Sequence, residues 1–189
     1  MPRGEDTRAE LLRVARKLFA ARGYAVGTEE IVREAKVTRG ALYHYYADKK
    51  DLFRAVHEQI ESELVERIGE RIGAVEDPWE LLVTGVGVFL DESADPVFMR
   101  VALLDAPAVL GWKEWREVDE RYGLALVSAS LENAMDAGVL RRQPLGPLSH
   151  LLLAALGEAA FLIANSDDPR AARRQVEPPL LALLEGLRA

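Results

Sequence analysis

Between Thr28 and Tyr46 the chain reads TEEIVREAKVTRGALYHYY, and its polar side chains suit contact with a polyanion that displays hydrogen-bonding edges. Arg39 carries the forked guanidinium that pairs with guanine O6 and N7. Gly40 has no side chain, so a backbone and a groove can approach closely there. Tyr43, His44 and Tyr45 carry polar tips on flat rings, which donate to phosphates or pack on sugars and thymine methyls. Thr38 opens the same segment, and Thr28 stands where a helix N-terminus favours a phosphate. Lys49 is a further phosphate candidate. Other chemistry is poorly served. The absence of cysteine excludes disulfides, thiolate zinc sites and cysteine nucleophiles. His44, His57 and His150 fall in separate segments, without an HExxH or ExxH pattern, and no glycine-rich phosphate loop precedes a helix. No enzymatic activity, metal or cofactor is expected.

These side chains need a scaffold of short helices. Thr28 is expected to cap a helix running to about Ala35, Lys36-Val37 to form a turn, and Thr38 to cap a second short helix through Tyr45. Asp48, with Asp51 three residues on, then starts a long helix whose Leu52, Val56, Ile60, Leu64, Ile68 and Ile72 repeat every fourth residue. Glu58, Glu61, Glu66 and Glu70 are read as its solvent face. Upstream, Thr7 and Glu10 read as a capping box. Leu11, Leu12, Ala15, Leu18 and Phe19 follow on one helical face, and Gly23 reads as the stop. Two short helices joined by a tight turn and backed by a long one are the layout of a helix-turn-helix, whose second helix enters the major groove.

The remainder is also helical by pattern. Further helices are expected at about 78–91, 96–106, 112–137, 147–165 and 169–188, with Asp-Pro starts at Asp77, Asp95 and Asp168. Gly138 reads as a helix end, Pro107 as an interruption and Pro178-Pro179 as a kink or restart. The fold class is therefore all-α, with about nine helices: a three-helix head over residues 1–54 and a larger body over 55–189. Charge divides the same way. The head holds 12 Lys and Arg against 8 Asp and Glu, while the body holds 12 against 23, so a basic head sits on an acidic body. The start of the chain has no signal-peptide core, which makes the cytoplasm the expected location. The apolar stretch 148–164 is broken by His150 and Glu158 and reads as a helix buried in the core of the body or shared with a second copy of the chain, with no membrane partner expected.

The head also resembles a known family. Gly23-Tyr24, Gly27-Thr28, Ile31, Ala35, Val37-Thr38, Gly40-Ala41-Leu42-Tyr43, Tyr46, Lys49 and Leu52 are similar to the N-terminal signature of TetR-type transcriptional regulators, over about residues 8–56. Lys36 stands where glycine is frequent in that signature, Tyr46 where phenylalanine is usual, and Asp48 where serine is common. The resemblance implies a ligand-responsive DNA-binding regulator, a repressor that grips a palindromic double-stranded operator as a homodimer and lets go when a small-molecule effector binds. It places operator contacts on Thr28, Thr38, Arg39, Gly40, Tyr43, His44 and Lys49, and packs Tyr46 inside the head. A helical interaction module without DNA affinity is the alternative, and the Arg39-Gly40 placement and the basic head argue against it.

For the body, the resemblance implies an effector pocket. Phe89, Met99, Leu103, Trp112, Trp115 and Tyr122 are candidate lining residues, with Asp105, Glu158 and Tyr122 as polar groups that could orient a ligand. Each aromatic could equally be plain core. A dimer interface is expected on the last two long helices, through Leu152 and Leu156 on one and Leu180, Leu183, Leu184 and Leu187 on the other, which would pack with their copies as a four-helix bundle.

Overall fold

The computed structural model describes residues 4–189, and every regular element among them is helical. We number nine helical runs: α1 Gly4–Arg22, α2 Thr28–Glu34, α3 Arg39–Tyr45, α4 Lys49–Ile72, α5 Pro78–Glu92, α6 over 96–110, α7 over 112–136, α8 Leu145–Ala164 and α9 Pro169–Glu185. They form two compact units. The first contains residues up to Ile60 together with Pro96–Trp115, and the second contains Glu61–Asp95 and Arg116–Ala189. The segment Pro96–Trp115, beyond the boundary at residue 54 that the sequence suggests, thus groups by contact with the head.

In the first unit, the apolar stripe of α1 (Leu11, Val14, Ala15, Leu18, Phe19) is buried with Ile31 of α2, Leu42 of α3 and Leu52, Phe53 and Val56 of α4. Phe19 and Tyr24 both meet the Phe53 ring edge-on, at 5.1 and 5.3 Å between centroids. Tyr46 is buried as expected. Gly23 ends α1 in the left-handed region at φ 70, and an added Cβ would meet the Arg100 guanidinium at 2.2 Å and Asp105 Oδ2 at 2.8 Å. Both conformation and space therefore require glycine there. Asp105 accepts a hydrogen bond from the Tyr24 amide at 3.0 Å and pairs with Arg100 Nε at 3.3 Å, which ties α6 to the head.

The second unit buries Leu82, Val86 and Leu90 of α5, Leu131 and Met135 of α7, Leu156 and Ile163 of α8, and Leu180 and Leu184 of α9 in one core. Asp77 caps α5 by accepting from the Trp79 and Glu80 amides, both at 2.9 Å, and Asp168 caps α9 by accepting from Ala171 N at 3.0 Å. Gly138 follows α7 with φ 73, the expected helix end. By length and composition α8 is apolar enough to cross a bilayer, but here it packs on α5, α7 and α9.

Several local expectations are corrected. Thr7 lies inside α1, where a helical backbone cannot serve as a cap, and Glu10 pairs instead with Arg13 at 2.6 Å. Gly27, in extended conformation, caps α2, so Thr28 is its first residue. Pro107 does not interrupt α6: a π-helical stretch, Met99–Asp105, runs into Ala106–Leu110, and the change of winding falls just before Pro107. The break comes at Gly111, φ 85. A second π-helical stretch, Glu120–Leu124, widens α7. Pro178 and Pro179 lie within α9 without ending it. The carbonyls whose donors they remove belong to the exposed Arg174 and Gln175, where water can bond them.

Lys36 ends α2 with φ 54, the one non-glycine among the described residues with a positive φ. Its amide bonds to Arg33 O at 3.2 Å and that of Val37 to Val32 O at 3.0 Å, a capping turn that favours glycine at the position of Lys36. Lys36→Gly should therefore stabilise the protein by about 1 kcal/mol, less what the unfolded chain gains in entropy, as measured by urea unfolding.

Candidate nucleic-acid interface and ligand cavity

The helix-turn-helix exposes the side chains singled out in the sequence. The Thr38 hydroxyl caps α3 by accepting from Ala41 N at 3.1 Å, which fixes the first turn of that helix. Leu42 is fully buried and anchors α3, so the opposite face carries Thr38, Arg39, Gly40, Tyr43 and His44, all exposed. The Arg39 guanidinium lies 5.5 Å from the centre of the Tyr43 ring. The Tyr43 hydroxyl is held below the usual phenol range by hydrogen bonds with Thr28 first and Arg39 second. Thr28, Arg39 and Tyr43 therefore form one polar cluster across α2 and α3. A Cβ at Gly40 would find only the Thr38 hydroxyl, at 3.8 Å, so nothing inside the chain requires glycine there. Arg39 also stands 3.9 Å from Glu29, an exposed pair weak enough for a phosphate or a base to displace.

Lys49 sits at the start of α4 with its ammonium 4.0 Å from the centre of the Tyr24 ring, and partial burial lowers its pKa. Asp48 caps that helix, accepting from Asp51 N at 2.8 Å, while Asp51 accepts from Ala47 N at 3.0 Å. Lys36, placed by its turn at the end of α2, is exposed as well. The three histidines occupy different surroundings. His44 is exposed, His57 is buried with its imidazole pushed down to about 4 by that burial, and His150 lies 3.7 Å from Glu120 on α7. Among the described residues no group of three potential metal ligands converges.

The body candidates separate. Met99, Leu103, Asp105, Trp112 and Trp115 all belong to the first unit. There Asp105 is engaged with Tyr24, Trp115 donates to the Ala102 carbonyl at 3.2 Å, and Trp112 is exposed with its ring 4.9 Å from that of Trp115. The second unit contains an apolar cavity of about 670 Å³ including its mouth. It is walled by Leu64 and Ile68 of α4, Val86 and Phe89 of α5, Leu126 of α7 and Leu156 of α8, with Glu61, Asp119 and Ser130 as polar members. Of the candidates only Phe89 lines it. Tyr122 and Glu158 do not, and Glu158 is exposed on α8.

Glu61 corrects the expected solvent face of α4, since it is buried. Its signal was present: Glu61, Leu64, Val65, Ile68 and Ile72 follow one another at helical spacing, so an acid stands on an apolar arc. Burial first, and Asp119 second, push its carboxyl up to about 8. Asp119 is raised to about 6 by burial, against the pull of Arg116. The expected dimer leucines are also corrected, apart from Leu183, which is exposed. Leu152, Leu156, Leu180 and Leu184 are buried in the chain's own core, and Leu187 packs against it. The exposed large apolar groups of these helices are Leu151 and Leu162 on α8 and Leu183 on α9.

Known proteins share this architecture. Residues 11–56 match the profile of bacterial regulatory proteins of the tetR family, and residues 79–187 match the tetracyclin repressor-like C-terminal domain. A crystal structure of a TetR-family transcriptional regulator from Pectobacterium atrosepticum is 36% identical, covers 98% of this chain and 96% of its own, and superposes with a TM-score of 0.88. The Transposon Tn10 TetC protein of Escherichia coli is 26% identical over 78% of this chain and 75% of its own length. The transcriptional repressor AcnR of Corynebacterium glutamicum is 31% identical over 56% of this chain and 60% of its own.

The buried acid sets a pH dependence. An unfolded Glu61 would titrate near the ordinary carboxyl value of 4.5, so its folded value of about 8 means stability falls as pH rises from one to the other. Glu61→Gln should leave the midpoint of thermal unfolding near that of the unmodified protein at pH 5. At pH 8 it should raise that midpoint by at least ~2 °C, the shift expected of ~1 kcal/mol in a chain of this size.

Proposed function

The chain belongs to the TetR family of DNA-binding transcriptional regulators, and from that premise we propose that it is a repressor that binds a palindromic operator as a homodimer and is released by a small molecule. The observation that carries the reading is the outer face of α3, where Thr38, Arg39, Gly40, Tyr43 and His44 stand exposed while Leu42 anchors the helix. In this reading Arg39 pairs with a guanine edge, and Tyr43 and His44 meet sugars, phosphates or thymine methyls. Thr28 offers a phosphate the unbonded amides at the start of α2, and Lys49 adds charge at the start of α4. Gly40 lets the backbone close on the groove. Repression is supported by the name of the AcnR relative.

The homodimer is supported by the apolar face that α8 and α9 leave uncovered, with Leu151, Leu162 and Leu183 exposed. Two copies of that helix pair can close as a four-helix bundle. A two-fold dimer calls for a two-fold operator, with recognition helices about 34 Å apart or a multiple of that. The effector role falls to the cavity of the second unit, whose walls are apolar with few polar groups.

Selection of bound sequences from random duplex DNA tests the whole reading: a palindrome should emerge, and recovery of no preferred sequence would sink it. Arg39→Ala should weaken binding to the selected operator by roughly 1–3 kcal/mol and relax choice at one base pair, read by titration against single-base variants. Gly40→Ala should leave thermal stability unchanged or slightly raised, yet weaken operator binding, because its methyl enters the groove rather than the protein. Leu183→Glu should convert the dimer to monomer in sedimentation experiments.

A further inference from the structure

Granting the effector role of the cavity, we infer that it takes an uncharged apolar molecule with a ring laid on the bare backbone of Gly85, and that Gly85 sets the size of what enters. Gly85 lies in the middle of α5 and in the cavity wall. Glycine weakens a helix interior relative to alanine, so its place there calls for a reason. The chain's own packing supplies none. A Cβ on residue 85 would meet Ile72 Cγ2 at 3.7 Å and Ile68 Cγ2 at 4.0 Å, both ordinary contacts, and both side chains line the same cavity. Gly123 of α7, also in the wall, differs. A Cβ there would stand 3.1 Å from Leu153 Cδ1, so the protein itself takes up that space. At Gly85 the missing side chain leaves its volume to the cavity. Phe89 follows one turn later on the same face of α5 and lines the cavity too, so a flat ring can rest on the backbone at residue 85 and meet the Phe89 ring.

The wall offers a charged ligand no counter-charge. Among the described residues it contains two ionisable side chains, Glu61 and Asp119, and both are already engaged within the protein. Asp119 Oδ2 pairs with Arg116 at 2.7 Å, and Arg116 is shared with Glu120 at 3.2 Å, which His150 faces at 3.7 Å. His57, one turn before Glu61 on α4, is buried and pushed down to about 4, while burial pushes Glu61 up to about 8, so both are predominantly neutral near pH 7. An anion would lose its water and find no cation in the wall. A cation would have to compete with Arg116 for Asp119. An uncharged molecule has neither difficulty, and Ser130 is the uncharged polar group of the wall that can meet its hydroxyl.

Fluorescence titration of the full chain at pH 7 with N-phenyl-1-naphthylamine, an uncharged aromatic probe that brightens in apolar surroundings, tests this. One molecule should bind per chain. 1-Naphthalenemethanol should displace it, while 1-naphthylmethylamine and 1-naphthoate, of similar shape but charged, should need at least tenfold higher concentrations. Gly85→Ala should weaken probe binding at least threefold without lowering the midpoint of thermal unfolding, and Gly85→Leu should weaken it at least thirtyfold. Gly85→Ala and the charge series on the unmodified protein decide the matter even if Gly85→Leu folds poorly. A probe bound equally by the unmodified protein and Gly85→Ala, or displacement by either charged analogue at the concentration the alcohol needs, overturns the inference and leaves the effector role standing. Failure of all four molecules to bind overturns both.

Discussion

The hydrogen bond from the Tyr24 amide to Asp105, made at the place where Gly23 lets the chain turn, is the constraint on which the reading head depends. Three helices of some fifty residues bury too little surface to be comfortably stable alone. The sequence from Pro96 to Trp115 supplies what is missing, burying Phe98, Val101, Leu103, Leu110 and Trp115 in the same unit. A side chain on residue 23 would collide with the Arg100 guanidinium and with the Asp105 carboxylate. The same glycine therefore ends α1, sends the chain towards α2 and leaves room for the tie.

That arrangement gives two helices a double membership. The first half of α4 belongs to the head and its second half to the body, and α7 is divided in the same way at Trp115. Within the head, Glu114 of α7 accepts from Lys50 at 2.9 Å and from Arg54 at 2.8 Å, and those hydrogen bonds hold its carboxyl below the usual range. Further along the same two helices stand Glu61 and Asp119, the acidic members of the cavity wall. The helices that carry those acids are thus also the helices pinned to each other in the head.

The sequence showed the head clearly because its signals are local. Thr38 and Asp48 cap the helices expected of them, the fourfold stripe from Leu52 to Ile72 is buried throughout, and Tyr46 packs inside. The body was less legible because its roles depend on contacts between distant segments. Asp105 looked like a ligand group, yet its partner is a backbone amide eighty-one residues away. Leu152 and Leu184 looked like an outer stripe, but α8 is apolar on most of its circumference, so periodicity could not say which side the chain itself would cover. Glu61 was not legible as buried because an acid on a helix rich in glutamate has the pattern of a solvent face until the segments that cover it are known.

The two widened stretches of helix, Met99–Asp105 and Glu120–Leu124, have a consequence for how this chain can evolve. A π turn holds one residue more than an α turn, and each residue of an α-helix advances the chain by about 100°. Loss of a single residue from Glu120–Leu124 would restore ordinary winding without unravelling the rod. Because the wider turn and an α turn bring the chain round by nearly the same angle, Asp119 would keep its facing relative to the helix beyond. Single-residue insertions and deletions there are a route by which related chains could change the length of α7 while Asp119 keeps its place beside the aliphatic walls from α5 and α8.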